Sequence, residues 1–322
     1  MFKLVITSFA LVAAAVPSLA SAQAFPSKPI TIVVPFPPGG AADASTRIVA
    51  QKLGENIRQT VLVDNRPGAG GQIGATVVKQ SAPDGYTLFL ANIGSHATNQ
   101  ALYSKLSYDP VKDFEPIIEM VAIPQLLVVP ASSPIKSVAE LIAKAKASPG
   151  SVSYASQSIG AGGHIAAEVL RFKNGLQLNH IPYKGSSPAL QDLVAGRVDF
   201  MFDAMPSSLP FVKDKRLRAL AIDAPKRSPL LPEVPTLVEQ GLTGYEASPW
   251  FGLAAPTGTP RPLIDKLHAE VSAALRNPEV LAKLNTLGIN AAGGTPQEFA
   301  LLMKSDTERL GRIIKESGAK LD

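Results

Sequence analysis

The 322-residue sequence contains no cysteine and only four histidines: His96, His164, His180 and His268. Without cysteine, the chain can form neither a disulfide framework nor a thiolate zinc site. The histidines are scattered and do not have the spacing of metal ligands. We therefore expect the protein to bind no metal and to carry no cofactor.

Long apolar runs are absent after the N-terminus. From residue 25 onward, no stretch offers the roughly eighteen continuous apolar residues that a membrane span needs. The N-terminus reads MFKLVITSFALVAAAVPSLASAQA, in which Lys3 precedes an apolar stretch and two small-x-small sites, ASA and AQA. This pattern is typical of a secretory signal peptide. It predicts a signal over residues 1–24, cleavage before Gln23 or Phe25, and a mature protein in the periplasm.

Runs of a single charge are also lacking. The 31 lysines and arginines stand against 26 acidic residues, which gives a net charge of +5, or +4 once Lys3 leaves with the signal. The basic residues are spread along the chain and are not clustered as on a nucleic-acid-binding surface. We expect no nucleic-acid partner, and a mildly basic surface favours small anions.

What the sequence does contain is an alternation of strand-like and helix-like segments. ITIVVPF leads into DASTRIVAQKLGENI, and VSYAS leads into GGHIAAEVLRFKNG. This order predicts an α/β fold with parallel-rich sheets flanked by helices. Gly54 and Gly175 are predicted to end two of the helices. From Pro262 onward the chain is predicted to be mainly helical and to complete the first lobe.

The 298 residues left after signal removal (322 − 24 = 298) exceed one simple core and suit two lobes. Two segments, IIEMVAIP at 117–124 and ASPWFGLAAP at 247–256, are able to cross between lobes. Two crossings form a hinge with a cleft beside it. We predict that lobe 1 comprises 25–122 and 251–322, and that lobe 2 comprises 123–250.

Two glycine-rich loops are similar to nucleotide-binding motifs but lack their spacing. PGAGGQIGA at 67–75 has Ile73 where G-x-G-x-x-G needs its third glycine, and GAGGHI at 160–165 has Ile165 there. Neither loop contains G-x-x-x-x-G-K-[ST]. Nucleotide binding is therefore a weak hypothesis, and we interpret the 67–75 loop as a tight turn alone.

Two strand–turn–helix junctions, at 35–43 and 156–164, offer simpler chemistry. Unpaired N–H groups and the dipole at a helix start favour an anion, and small residues let a ligand reach the backbone. We predict that the two junctions, one in each lobe, hold a carboxylate with little side-chain charge. Asp43 would repel an anion, so we predict that it caps the loop and pairs with Arg47.

Two other functions stay open on the residues alone. An exported hydrolase would use Ser156 or Ser158 with His164, or the adjacent pair at 95–96. The sequence has no G-x-S-x-G elbow, and adjacent Ser and His side chains seldom face each other. His164 is more simply interpreted as a histidine at a helix terminus or in the core. The other function is a sensor that reports its ligand-bound state to a membrane signalling protein.

Several segments together carry a resemblance along nearly the whole mature chain: FPSKPITIVVPFPPGGAADASTR, VDNRPGAGGQIGA, APDGYTLFLAN, YDPVKDFEPI, IPYKGSSPALQDLVAGRVDFMFD and WFGLAAPTGTP. The chain resembles the Bug-type substrate-binding proteins of tripartite tricarboxylate transporters. The resemblance implies a type II periplasmic-binding-protein fold and no catalytic residues. It further implies a monomer that captures a small mono-, di- or aromatic acid and delivers it to integral-membrane permease subunits.

The resemblance also implies a site formed by two loops that close on one ligand carboxylate; they match PFPPGGAAD and SQSIGAGGH here. The family pattern S-x-G-x-G-[ST]-x-x-H-L is altered by Ser158, Ala161 and Ile165, so Ala161 cannot supply the usual hydroxyl. The predicted ligand-binding residues of the loops are Phe36, Gly40, Ala41, Ala42, Ser156, Ser158, Gly160, Ala161, Gly162 and His164. Asn92, Ser95, His96, Lys184, Gly185 and Asp203 are predicted to complete the cleft.

Overall fold

The computed structural model describes residues 25–243, 248–318 and 320, so the predicted signal peptide lies outside the described residues. Within them the chain forms eleven β-strands and ten α-helices. The strands are β1 (Ile30–Val34), β2 (Val61–Asn65), β3 (Thr87–Asn92), β4 (Phe114–Ala122), β5 (Gln125–Pro130), β6 (Val152–Ser156), β7 (Leu178–Pro182), β8 (Phe200–Ala204), β9 (Leu217–Asp223), β10 (Trp250–Pro256) and β11 (Asn290–Gly293). The helices are α1 (Ala41–Ile57), α2 (Gln72–Lys79), α3 (Asn99–Leu102), α4 (Val138–Ala147), α5 (Gly162–Asn174), α6 (Ser186–Val194), α7 (Met205–Lys213), α8 (Arg261–Leu275), α9 (Pro278–Thr286) and α10 (Pro296–Ser317).

The strands form two sheets, which we use to define the lobes. Lobe 1 is the six-stranded sheet in the order β11-β4-β10-β3-β1-β2 with its helices, and lobe 2 is the five-stranded sheet β7-β6-β8-β5-β9 with its helices. Central strands such as β1 and β5 are apolar and almost wholly buried, as expected where helices cover both faces. The predicted two-lobed α/β fold is confirmed. The residue boundaries that we assign to the lobes stay a prediction.

The sheets are mixed, not parallel throughout. β1 runs parallel to β2 and β3, and β6 runs parallel to β7 and β8. The strands beside the crossings are antiparallel: β10 to β3 and β4, β11 to β4, and β5 to β8 and β9. The reason is that β4 leads the chain out of lobe 1 while β10 leads it back, so the two must run in opposite directions.

Both segments predicted to cross between lobes are largely strand. β4 and β10 pair with each other from Trp250↔Ala122 to Pro256↔Phe114. Beyond this pairing, Ile123 N–H donates to Pro249 O at 2.7 Å, so the two crossings run side by side. The stretch available for bending is therefore shorter than predicted, and hinge motion itself stays a prediction.

The predicted helical tail differs from the structure in two respects. It contains β11, which extends the sheet of lobe 1. Helix α10 packs against β4 and α3 of lobe 1, but also against α5 of lobe 2, so the tail bridges the lobes. None of the helices that the structure describes is long and apolar enough to cross a bilayer.

Of the two glycines predicted to end helices, only Gly175 does so, as the left-handed C-cap of α5. Gly54 lies inside α1, which continues to Ile57 and ends at Arg58 in a left-handed conformation. An added Cβ at Gly54 would lie 2.9 Å from the carbonyl oxygen of Gln59. Gly54 is therefore explained by close backbone approach and not by helix termination.

Candidate functional site

A cavity of about 460 Å³ lies between the two lobes. Lobe 1 lines it with loop 1 (residues 35–41), with residues 67–71 and with the turn after β3. Lobe 2 lines it with loop 2 (residues 156–162), chiefly its part from 157 onward, and with the starts of α6 and α7. Among the described residues at this cavity, none has a charged side chain.

The helices that begin at the cavity have no side-chain cap. Their N-cap residues, in the order α1, α2, α5, α6 and α7, are Gly40, Gly71, Ala161, Gly185 and Ala204. By contrast, the side chains of Ser137, Asn277 and Thr295 cap α4, α9 and α10, which begin away from the cavity. An uncapped start leaves backbone N–H groups unpaired at the positive end of the helix dipole. Of these five helices only α1 has an acidic residue in its first turn, Asp43, which is paired with Arg47. Backbone donors, and not cationic side chains, therefore surround the cavity.

Loop 1 is held by a buried carboxylate. Gly39 N–H donates to Asp43 Oδ2 at 2.9 Å, and Asn65 Nδ2 donates to Asp43 Oδ1 and to Phe36 O, both at 3.1 Å. Arg47 Nη2 lies 2.9 Å from Asp43 Oδ1. Burial opposes ionisation of Asp43, but the hydrogen bonds from Arg47, Gly39 and Asn65 outweigh it and lower the pKa of the carboxyl. Asp43 builds the loop and does not line the cavity, as predicted.

Loop 2 is held by two imidazoles instead. Gly160 N–H donates to His164 Nδ1 at 3.2 Å, and Ser156 Oγ lies 2.7 Å from His180 Nε2. Gln157 O accepts a hydrogen bond from the backbone N–H at the start of α6 at 2.7 Å. His164 is buried and does not line the cavity. The prediction that His164 contacts ligand is therefore not met by this geometry, because the side chain supports loop 2 from behind.

The start of α5 approaches its neighbours too closely for any side chain. An added Cβ at Gly163 would collide with the carbonyl oxygen of Phe202, and one at Gly162 would collide with the ring of Pro249. Only glycine lets the N-terminus of α5 lie this close to β8 and to the second crossing. The unpaired N–H groups of α5 are thereby brought to the cavity from the lobe opposite α1.

Polar side chains at the cavity make hydrogen bonds within the fold, although the buried Gln157 Oε1 has no partner. Asn92 Oδ1 accepts from Ser95 N–H at 3.1 Å. Gln157 Nε2 and Ser186 Oγ both donate to Asp203 Oδ1, at 2.7 and 2.6 Å. Asp203 is fully buried and its Oδ2 has no partner, so burial raises its pKa to about 6. Asp203 therefore organises the wall of the cavity from behind.

The structure brings seven of the sixteen predicted ligand-binding residues to the cavity: Phe36, Ala41, Asn92, Ser158, Gly160, Ala161 and Gly162. The nine others do not line it: Gly40, Ala42, Ser95, His96, Ser156, His164, Lys184, Gly185 and Asp203. Most of the nine lie directly behind the wall, because a loop that exposes its backbone turns its side chains away. Lys184 is exposed to solvent.

The 67–75 loop, which we interpreted as a tight turn alone, also lines the cavity. Pro67, Gly68, Gly70 and Gly71 all line the cavity, and α2 begins there without a side-chain cap. The same strand–turn–helix pattern that identified loop 1 was present here, so the signal was available in the sequence. Gln125, Pro249 and Phe251 were also missed. Their side chains reach the cavity only because the two crossings lie side by side.

The serine–histidine pairs of the hydrolase hypothesis form differently from the prediction. Ser156 pairs with His180, and no hydrogen bond joins His164 to Ser156 or Ser158 among the described residues. The adjacent pair does meet, contrary to expectation: Ser95 Oγ lies 2.9 Å from His96 Nδ1. Both side chains are 1% exposed, so a substrate has no access to them.

Comparison with known proteins agrees with this geometry. A family described as "Tripartite tricarboxylate transporter family receptor" matches residues 45–319. Protein BugT of Bordetella pertussis is 36% identical over 302 residues, which cover 94% of this chain and 93% of BugT. The solved structure "R. palustris Rpa4515 with adipate" is 37% identical, has a TM-score of 0.83, and covers 92% of this chain and 100% of its own. MatC (Rpa3494) from Rhodopseudomonas palustris with bound malate is 33% identical, has a TM-score of 0.78, and covers 90% and 100%.

Proposed function

Since this chain belongs to the receptor family of the tripartite tricarboxylate transporters, we propose that it captures a small organic carboxylate in the cleft between its lobes. The observation that carries the proposal is the set of uncapped helix starts around a cavity without charged side chains. Unpaired N–H groups at helix starts favour an anion, typically by 0.3–1 kcal/mol for each dipole and up to about 2 kcal/mol where partly buried.

We call the uncapped starts of α1 and α5, with loops 1 and 2, the cradle. The cradle would hold one carboxylate between the two lobes. The first intrahelical bond of α1 is Ala44 N–H to Gly40 O, and that of α5 is Ile165 N–H to Ala161 O. The three N–H groups of the first turn of each helix, at residues 41–43 of α1 and 162–164 of α5, therefore have no intrahelical partner. An anion that bridges both sets stabilises the arrangement in which the lobes are close together, which is how ligand would favour closure.

The remainder of the cavity suits a hydrocarbon body. Its walls include Pro35, Ile93 and Ile159, and the rings of Phe36 and Phe251 lie 5.7 Å apart. Apolar surface of this kind favours the carbon skeleton of a mono-, di- or aromatic acid. Two relatives were solved with the dicarboxylates adipate and malate, which supports this class of ligand.

We further propose a periplasmic monomer that does not turn over its ligand and that docks on the permease subunits of a tripartite tricarboxylate transporter. The signal-like N-terminus and the receptor family support the location and the partner. Intact-mass measurement of periplasmic material tests the signal peptide. A mature protein beginning at Gln23 or Phe25 is expected, and retention of Met1 would contradict it.

The ligand class is tested by thermal shift and calorimetry after any co-purified ligand has been stripped. Adipate, malate and benzoate are compared with their uncharged amides. We expect 1:1 binding of at least one acid without product formation, and a stabilisation of about 2.7 kcal/mol at a hundredfold excess over Kd. Equal binding of acid and amide would contradict a carboxylate cradle, and turnover of the ligand would contradict a receptor.

A further inference from the structure

A second cavity lies directly behind loop 2. It also measures about 460 Å³ and is lined by Tyr154, His164, Glu168, Arg171 and His180 among others. Ile159 of loop 2 lines both this cavity and the ligand cleft, so loop 2 is the wall between them. Titratable side chains therefore stand on the face of loop 2 opposite the ligand.

The hydrogen bond between loop 2 and His164 determines the state of that imidazole. A backbone N–H can only donate, so His164 Nδ1, 3.2 Å from Gly160 N, must accept and cannot carry a proton. The ring is therefore neutral, with its proton on Nε2. Protonation of Nδ1 would place two N–H donors against each other, and Gly160 would lose its partner.

His180 lies next to His164, which makes it unfavourable for both imidazoles to be protonated at once. Its ring stacks on that of His164 with centroids 4.4 Å apart, and on that of Tyr154 at 4.6 Å. Its Nε2 lies 2.7 Å from Ser156 Oγ, at the start of loop 2. Two stacked imidazoles thus contact both ends of the loop, and a charge on one ring disfavours a charge on the other.

Glu168 and Arg171, the charged groups around the two imidazoles, do not make protonation of these rings favourable. Glu168 Oε1 accepts from Tyr154 OH at 2.6 Å, and Glu168 Oε2 accepts from Arg171 Nε at 2.8 Å, so both oxygens are occupied. Burial lowers the pKa of His164 to about 4, with a further lowering by His180 that outweighs the attraction of Glu168. Burial also lowers the pKa of His180.

The geometry points to His164 and His180 as positioning residues for loop 2, whose neutral rings hold the loop in the shape that receives the ligand. Affinity for carboxylate then falls as the pH falls, because protonation of His164 breaks its bond to Gly160. This inference rests on the proposed carboxylate cradle. Coupling is reciprocal, so a ligand that needs the ordered loop also disfavours protonation of His164. The second cavity adjoins both rings on the side of loop 2 away from the ligand cleft.

The first experiment needs no ligand. Spectra of ¹⁵N-labelled imidazoles and amides of the mature protein are recorded from about pH 8 to about pH 3, a range that extends below the pKa of about 4 for His164. We expect His164 to carry its proton on Nε2 at the upper pH, and the Gly160 amide to shift with the same midpoint as the His164 ring. A proton on Nδ1, or a Gly160 amide that does not respond while His164 titrates, would overturn the inference.

The second experiment measures adipate binding by calorimetry from about pH 7 down to about pH 3 in four proteins, because burial lowers the pKa of His164 to about 4. His164→Asn keeps an acceptor near the position of Nδ1 but cannot titrate, whereas His164→Phe keeps a ring but has no acceptor. His268→Asn, on α8 and outside both cavities, is the matched control. Titration of adipate itself is common to all four proteins and cancels in the comparison.

We expect the parent and His268→Asn to lose affinity as the pH falls below about 4, the pKa of His164, by up to about tenfold per pH unit. His164→Asn should bind within a few-fold of the parent at neutral pH and lose less affinity in acid, and His164→Phe should bind weakly at every pH. Identical pH profiles for the parent and His164→Asn, or full affinity in His164→Phe, would overturn the inference. If adipate fails to bind the parent at any pH, the proposed function fails for this acid, whereas the amide titration still decides the role of His164.

Discussion

Loop 1 and loop 2 present the same kind of uncapped helix start to the cleft, yet they are built differently. Loop 1 is organised by the carboxylate of Asp43, and an added Cβ at Gly39 or Gly40 would meet no atom within 4 Å. Loop 2 is organised by imidazoles, and its glycines are packed against other segments. The two halves of the proposed cradle therefore differ in how they tolerate added side chains and acid.

The two loops should also respond to pH in different ranges. The folded-state pKa of Asp43 is lowered, so its contribution to stability is present above about pH 3.9 and is lost only as the pH falls through the lower folded value. The folded-state pKa of His164 is lowered to about 4, so stability already declines as the pH falls from about 6.5 toward 4. Mild acid therefore acts on loop 2 first.

The largest effect should come from Gly163→Ala. Gly163 is the second residue of α5, the position that Ala42 occupies in α1. The new Cβ would collide with the Phe202 carbonyl oxygen, which is backbone and cannot move aside cheaply. We expect a loss of about 3 kcal/mol in the free energy of unfolding, measured in urea.

Gly40→Ala, at the N-cap of α1 in loop 1, is compared with this variant at the start of α5. Its Cβ would meet nothing within 4 Å and its φ of −84° suits alanine, so we expect a change within about 0.5 kcal/mol. Equal losses in the two variants would remove the distinction between an open loop 1 and a packed loop 2.

The second-largest effect on stability should come from Asp203→Asn. We compare it with Asp43→Asn because the pKa values of the two aspartates are shifted in opposite directions. Asp203, behind loop 2, has a pKa of about 6, so its contribution to stability is present below pH 3.8 and is lost as the pH rises through 6. Relative to the parent, Asp203→Asn should therefore gain about 1–3 kcal/mol of stability between about pH 4 and pH 7.5. Asp43→Asn should show no such gain, because the pKa of Asp43 is lowered. Urea unfolding at both pH values measures this, and parallel profiles for the two variants would refute the contrast.

Gly160→Val should affect binding more than stability. Gly160 has a φ of +79°, which β-branched residues avoid, and its Cβ would lie 2.5 Å from Leu102 Cδ1 of lobe 1. Leu102 is a flexible side chain and can shift, so the protein should fold, but loop 2 could not keep its shape against lobe 1. We expect at least a tenfold loss of affinity by calorimetry, or about 1.4 kcal/mol. Lys184→Ala, on an exposed position, should change affinity less; full affinity in Gly160→Val would exclude loop 2 from the cradle.

The smallest effect should come from Ala161→Ser. Ala161 is the N-cap of α5 in an extended conformation, and a serine there could accept from an N–H group of the first turn. We expect the ligand-free protein to gain about 1 kcal/mol by urea unfolding. Calorimetry then distinguishes two results: a gain of about 0.5–1.5 kcal/mol in binding if the hydroxyl reaches the carboxylate, or a loss if it competes for the same N–H groups. An unchanged stability would mean that the start of α5 does not accept a side-chain cap.

The sequence alone predicted those features of the protein whose residues are adjacent along the chain. The strand–turn–helix junctions at loops 1 and 2 were predicted because the strand, the break and the helix start are adjacent in sequence. The role of Asp43 followed for the same reason, since its partners Gly39 and Arg47 lie within four residues of it. The alternation of elements predicted an α/β fold and the chain length predicted two lobes, although neither could show that β4 and β10 pair with each other.

Only the tertiary structure decided which residues meet across the chain. His180 reaches Ser156 from 24 residues away, Asp203 reaches Gln157 from 46, and Pro249 packs on Gly162 through the pairing of the two crossings. Hydrophobic periodicity indicates which face of a helix or strand is buried, but it does not indicate which other helix or strand covers that face. The uncapped helix starts on which the proposed anion binding rests were therefore determined by the local sequence of the two loops, whereas packing between distant segments decided which side chains support loop 2 from behind.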